Sequence, residues 1–280
     1  MELSDRLFIL LYNTLKACFE QILWLWGAFF LIGFALYFIS NLRDKAFAVS
    51  IGHKAELFLT GWIGVPVHEM GHAVFCVLFR HKITEAKFFS PTEDGTMGYV
   101  RHEFNPKSSY QKIGNFFIGI APMLFGTVVI YALLGILLPD FLPLELTGSI
   151  AETGWEIFSN FFSFSNFSNL RFWIFIYLSL GIASHMKLSV QDFKGATSGF
   201  ITLLALIFLI NLIANIFLDF GLKSIAVSQW FTTQINVLLA LFYSIMLYAL
   251  VLSVLYLLFS YVVRGVAGVV RSKGRNSLAK

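Results

Sequence analysis

The residues with the clearest chemical signature are His68-Glu69-Met70-Gly71-His72, an H-E-x-x-H pattern. On a helix, positions i and i+4 share a face, so both imidazoles can reach one tetrahedral Zn²⁺ while Glu69 projects beside them as a general base toward a water at the metal. Chance placement of this chain's histidines and glutamates gives the pattern about 0.5% of the time, so the spacing carries weight as a motif. The competing reading is a hydrogen-bonded cluster on a helix. Against it, the motif lies in "WIGVPVHEMGHAVF", residues 62–75, an apolar run where ionisable groups are costly and point to function. Pro66 removes a backbone donor just upstream and predicts a kink that makes room for water. Gly71 permits close approach of another helix or of the metal's surroundings, or is ordinary small-residue packing.

Two histidines leave a catalytic zinc one protein ligand short. The stretch "ASHMKLSVQDFKGA", residues 183–196, offers His185 and Asp192. If the chain unwinds after Met186, as backbone lining a wet cavity can, Asp192 reaches the imidazoles as the third ligand; otherwise it caps the following helix. His185 is the alternative ligand, or else an interfacial or supporting histidine.

The elements that position these groups follow from composition. The 280 residues are 58% hydrophobic and 13% charged, with mean hydropathy +0.76, more apolar than one soluble core can bury. The chain reads as an all-α polytopic membrane protein. Six apolar segments near the roughly 20-residue length of a transmembrane helix lie at 21–40, 57–79, 113–138, 172–187, 196–218 and 236–263. An N-terminal amphipathic helix at the interface precedes the first. The expected units are 1–56 (interfacial helix and first span), 57–195 (core with the zinc site), 196–263 (two further spans) and 264–280 (basic tail). Six crossings place fifteen Lys and Arg on one side and five on the other, which predicts cytoplasmic termini in a plasma or inner membrane. At about 1.5 Å per residue, His68 and His72 then lie roughly 17 to 23 Å from the outer end of their span. The net charge of +4 comes from loops and tail that face anionic lipid, and no nucleic acid is implied. Residues 82–105 carry two β-prone runs around Pro-Thr-Glu-Asp-Gly and predict a cytoplasmic hairpin between spans two and three. The Phe- and Ser-rich stretch 155–170 reads as a helix on the outer membrane surface, an anchor or a gate. Asn211 and Asn215, one turn apart, predict interhelical hydrogen bonds. Cys18 and Cys76 support no disulfide framework.

The H-E-x-x-H span followed by an aspartate on a later span of the same direction resembles the site-2 protease family of intramembrane zinc metalloproteases. The resemblance covers residues 57–195. It implies His68, His72 and Asp192 as metal ligands, Glu69 as the catalytic residue, Zn²⁺ as cofactor, and a hairpin that takes an unwound substrate as an added strand. "GIAPMLFG", 119–126, is similar to the family's glycine-proline stretch, with Ala121 in place of a glycine. "SHMKLSVQDFKG" stands where the family has Asn-Pro-x-Pro leading into Leu-Asp-Gly.

The function expected is hydrolysis of peptide bonds in or near membrane-spanning segments of a protein or peptide substrate. The alternative is a non-catalytic zinc-binding membrane scaffold, which would not need Glu69. A transporter would show polar residues spread over several spans or inverted repeats, and neither is visible.

Overall fold

The computed structural model describes residues 3–50, 52, 57–92, 97–141, 159, 163–219 and 229–278. Helix α1 (Leu3–Ser50) is one uninterrupted helix of 48 residues. The stretch expected at the interface leads into the first span without a break, since no proline or paired glycines stop the helix there. A π-helical turn (Leu57–Gly61) leads into α2 (Trp62–Leu78), which contains Pro66. The widened turn directly upstream of the proline is where a helix commonly makes local room.

Strands β1 (Lys82–Lys87) and β2 (Tyr99–Glu103) pair antiparallel with a bulge between Ile83 and Glu85. Glu85 and Arg101 are cross-strand partners joined at 3.0 Å, and the Arg101 guanidinium lies 4.7 Å from the Tyr99 ring centroid. Glu93-Asp94-Gly95 of the expected turn lie outside the described residues.

Ser108 starts α3 (Ser109–Leu137) by accepting the Gln111 N–H, and Asn169 starts α4 (Leu170–Ser184) by accepting the Arg171 N–H. Helices α5 (Val190–Asp219) and α6 (Gln229–Leu278) complete the chain, so the expected tail from 264 continues α6. Of the stretch 155–170, residues 155–158 and 160–162 lie outside the described residues; its end holds a 3₁₀ turn, Phe164–Ser168, with Phe164 exposed.

Among the described residues, four helical segments are long and apolar enough to cross a bilayer: Trp26–Ser50, Ser109–Leu137, Val190–Phe217 and Leu241–Val270. The chain is an all-α membrane protein carrying one small hairpin. Its polarity is arranged accordingly. Phe8, Leu15, Leu31, Ile210 and Phe217 face outward, whereas Gln21 and Asn211 exchange two amide hydrogen bonds and Asn215 donates to Thr14 between α1 and α5. Both asparagines thus make the interhelical bonds expected of them. Phe29, Leu36, Phe116, Met123, Phe175 and Met246 centre the core.

The direction of the helices follows from which residues meet. Phe29 stacks on Phe242 and Phe47 meets Tyr256, so α1 and α6 run parallel. Phe30 meets Phe200 while Gln21 meets Asn211, so α5 runs against α1. Along α3, Gly126 lies against Ile182 and Met186, Gly119 against Asp192, and Gly199 against Phe116. Helices α4 and α5 therefore run in the same sense, one continuing the other. This corrects the expectation that 172–187 and 196–218 cross in opposite directions. The physical reason is Lys187. Charge counting makes it the end of a span, whereas it is half-buried and pairs with Asp44 of α1. The first residues of α1 and the last of α6 lie at opposite ends of the bundle.

Candidate metal centre

Helix α2 presents His68 and His72 on one face, one turn apart, as their spacing requires. Each ring is fixed by a main-chain carbonyl: His68 Nδ1–H donates to the His185 carbonyl at 2.7 Å and His72 Nδ1–H to the Ile118 carbonyl at 2.8 Å. A carbonyl only accepts, so the proton of each neutral ring sits on Nδ1 and each Nε2 carries a bare lone pair. Those two Nε2 atoms are 3.2 Å apart. Asp192 closes the group, its Oδ1 3.2 Å from His72 Nε2 and its Oδ2 3.7 Å from His68 Nε2. The ligating atoms of all three lie within 4.8 Å of one another. Three Lewis-basic atoms converging with no donor among them make a site for a cation. Two imidazoles and one carboxylate, with a coordination position left over, match the donor set of a catalytic zinc. Hydrogen bonds that fix the tautomer of each histidine are the usual support of such ligands.

Asp192 comes to the imidazoles across a break in the backbone and takes part in the cap of α5. Helix α4 ends at Ser184, five residues follow outside the helix, and α5 begins at Val190. Ser189 Oγ accepts the Asp192 N–H at 3.1 Å while Asp192 Oδ2 accepts the Ser189 N–H at 2.7 Å. This reciprocal pair is a capping box, and it aims the carboxylate at the imidazoles. One conformation places the carboxylate both in the cap and beside the imidazoles. His185 is not brought to the ligand atoms by its ring, whose Nδ1–H donates to the Gly181 carbonyl at 3.0 Å; only its carbonyl serves the site. Gly64 of α2 packs on that ring so closely that a Cβ there would lie 2.4 Å from His185 Nδ1 and 2.2 Å from the Gly181 carbonyl oxygen.

Glu69 is buried beside the group and lines, with His68, His72 and Asp192, a cavity of about 640 Å³. The opposite wall is the hairpin. A Cβ on Gly98 would lie 2.9 Å from Glu69 Cγ, so only glycine lets the strand come this near. Residues 98–102 line the cavity consecutively. Side chains of a strand alternate between faces, so an unbroken run marks the strand's edge. His102 Nδ1 lies 3.0 Å from His81 Nδ1, and His81 Nε2–H donates to the Gln111 carbonyl. Burial first, then the neighbouring His81 and His72, pushes the His102 pKa down to about 4, and burial lowers that of His81.

Comparison with protein-family models, curated proteins and solved structures gave no match. Reading the sequence did not find the carbonyls of Ile118 and His185, which carry no signal in residue type. It also placed Arg43 in an outer loop, although "NLRDKAFAVS", 41–50, contains no helix breaker.

Proposed function

We propose that the chain is an intramembrane zinc metalloprotease similar to the site-2 protease family, acting on peptide bonds in or near membrane-spanning segments. The observation that carries this is the convergence of two imidazole lone pairs and one carboxylate beside a buried glutamate, in a cavity within a membrane protein. His68, His72 and Asp192 would hold the metal, and a bound Zn²⁺ would supply a Lewis acid for the scissile carbonyl and for a water in the site. Glu69 takes the proton of that water and returns it to the leaving nitrogen. A helical peptide has its carbonyl committed to the backbone, so the segment to be cut must unwind. The cavity-lining edge of β2, which pairs with no further strand among the described residues, offers backbone groups to such a segment.

In this reading α4 and α5 make one interrupted crossing, and the bundle crosses the membrane five times rather than six. Helix α4 alone, 15 residues or about 22 Å, falls short of a hydrocarbon core about 30 Å thick. The break is tolerated because it lines a polar cavity instead of facing lipid.

Zinc content of the full chain purified in detergent tests the centre. Wild type holds one zinc per chain, Asp192→Ala loses it, and His185→Ala retains it because the carbonyl remains. Glu69→Gln keeps the metal and abolishes cleavage of single-span peptides in proteoliposomes. A zinc-loaded wild type that cuts none of them would favour the scaffold reading, and a wild type without zinc would remove both.

A further inference from the structure

Helix α1 lies outside the stretch that resembles a protease, yet it carries the most buried charge in the described structure. Arg43 is 2% exposed. Its Nη1–H donates to the Ser184 carbonyl at 3.2 Å, its Nη2–H donates to Asp44 Oδ1 at 2.7 Å, and its guanidinium carbon lies 5.2 Å from the Tyr256 ring centroid. The other oxygen of Asp44 pairs with Lys187, whose ammonium also donates to Asn41 Oδ1 at 3.3 Å. Asp44 is thus shared between a cation on its own helix and one on the break between α4 and α5. The two residues gripped, Ser184 and Lys187, bracket His185 and Met186. Between them stands the carbonyl that fixes His68, and five residues after Lys187 stands Asp192.

A guanidinium buried in an apolar bundle, as that of Arg43 is, is costly and needs a specific return. Here the return is positional. A five-residue link outside the helices has no hydrogen-bond ladder of its own, so something else must hold its carbonyl toward α2. We infer that Asn41, Arg43, Asp44 and Lys187 form a clamp by which α1 positions the break, setting the His68 tautomer through the His185 carbonyl and the reach of Asp192. These are positioning residues, and none touches the ligating atoms. The inference rests on the metal reading of His68, His72 and Asp192.

The test compares the full chain in detergent with Lys187→Met, Asp44→Asn and the conservative Lys187→Arg. Zn²⁺ affinity is measured by competition with a chromophoric chelator, and the Co²⁺ form by its visible spectrum. Lys187→Met leaves the Arg43–Asp44 pair and the Arg43–Ser184 bond in place, so the bundle remains folded. The clamp predicts at least about tenfold weaker zinc in Lys187→Met and Asp44→Asn, the size seen when supporting groups of metal ligands are lost, with an altered Co²⁺ spectrum. It predicts near-wild-type values in Lys187→Arg. A proton resonance of His68 Nδ1–H, followed by NMR in micelles, reads the same contact without metal: it is present in wild type and in Lys187→Arg, and lost or shifted in Lys187→Met. Zinc affinity and resonance both unchanged in Lys187→Met overturn the clamp alone. A wild type that binds no zinc overturns the metal reading, and the resonance then decides the clamp by itself.

Discussion

The two halves of the centre are built on opposite principles. Helix α2 delivers His68, Glu69 and His72 from continuous helix, where spacing puts the two imidazoles on one face. The other half comes from interrupted backbone: a helix end at Ser184, the His185 carbonyl, and Asp192 at the start of a new helix. A regular element carries its own geometry wherever it is placed. A break has only the geometry that its neighbours impose. The shared face of the two histidines should therefore survive changes elsewhere, while the α4–α5 half should depend on partners distant in sequence.

The sharpest way to break this contrast is topological. If α4 and α5 are one interrupted crossing, reporter fusions at the N-terminus and C-terminus report opposite sides of the membrane. The same side for both would mean two opposed spans and no break at the site. A smaller but still severe effect is expected from Gly64→Ala. The added Cβ meets the Gly181 carbonyl and the His185 ring, so α2 and α4 must move apart. Overpacking of this kind costs about 1–3 kcal/mol. Thermal unfolding should show the loss, and zinc binding should fall with it because the His68–His185 contact crosses the same interface.

How much of this was legible in the sequence divides along the same line. H-E-x-x-H and the membrane class were legible because both are local, one a spacing and the other a composition. Asp192 was legible as a candidate, but its two roles looked like alternatives, since a sequence does not show that a capping box can aim a carboxylate sideways. Lys187 misled, because a lysine after an apolar run ordinarily marks a membrane face, and only the fold brings Asp44 to it. The uninterrupted α1 was missed for a related reason: the charges at 43–45 looked like the end of a span, although nothing there stops a helix.

Milder changes sharpen the comparison. Ser189→Ala removes the hydroxyl that accepts the Asp192 N–H but leaves the Ser189 main-chain N–H on the carboxylate. Loss of a cap costs about 1 kcal/mol, so unfolding should register it while zinc affinity falls less than tenfold. The smallest effect is at the hairpin wall. His102 titrates near 4 in the fold against 6.5 for the free side chain. A histidine held neutral supports the fold fully above about 6.5 and loses that support as pH falls toward 4. His102→Gln should flatten the decline of melting temperature with acidification across that window and leave zinc content at neutral pH unchanged.

The supports of the two imidazoles have a consequence for descent. Both acceptors, at Ile118 and His185, belong to the main chain, and every amino acid has a carbonyl. Substitution at either position leaves the acceptor in place as long as the backbone keeps its path. A lineage can thus rewrite the residues around such a centre through many generations while its working geometry persists. What it must inherit is the interval between the histidines, the interruption before Asp192, and the glycines that let the walls approach.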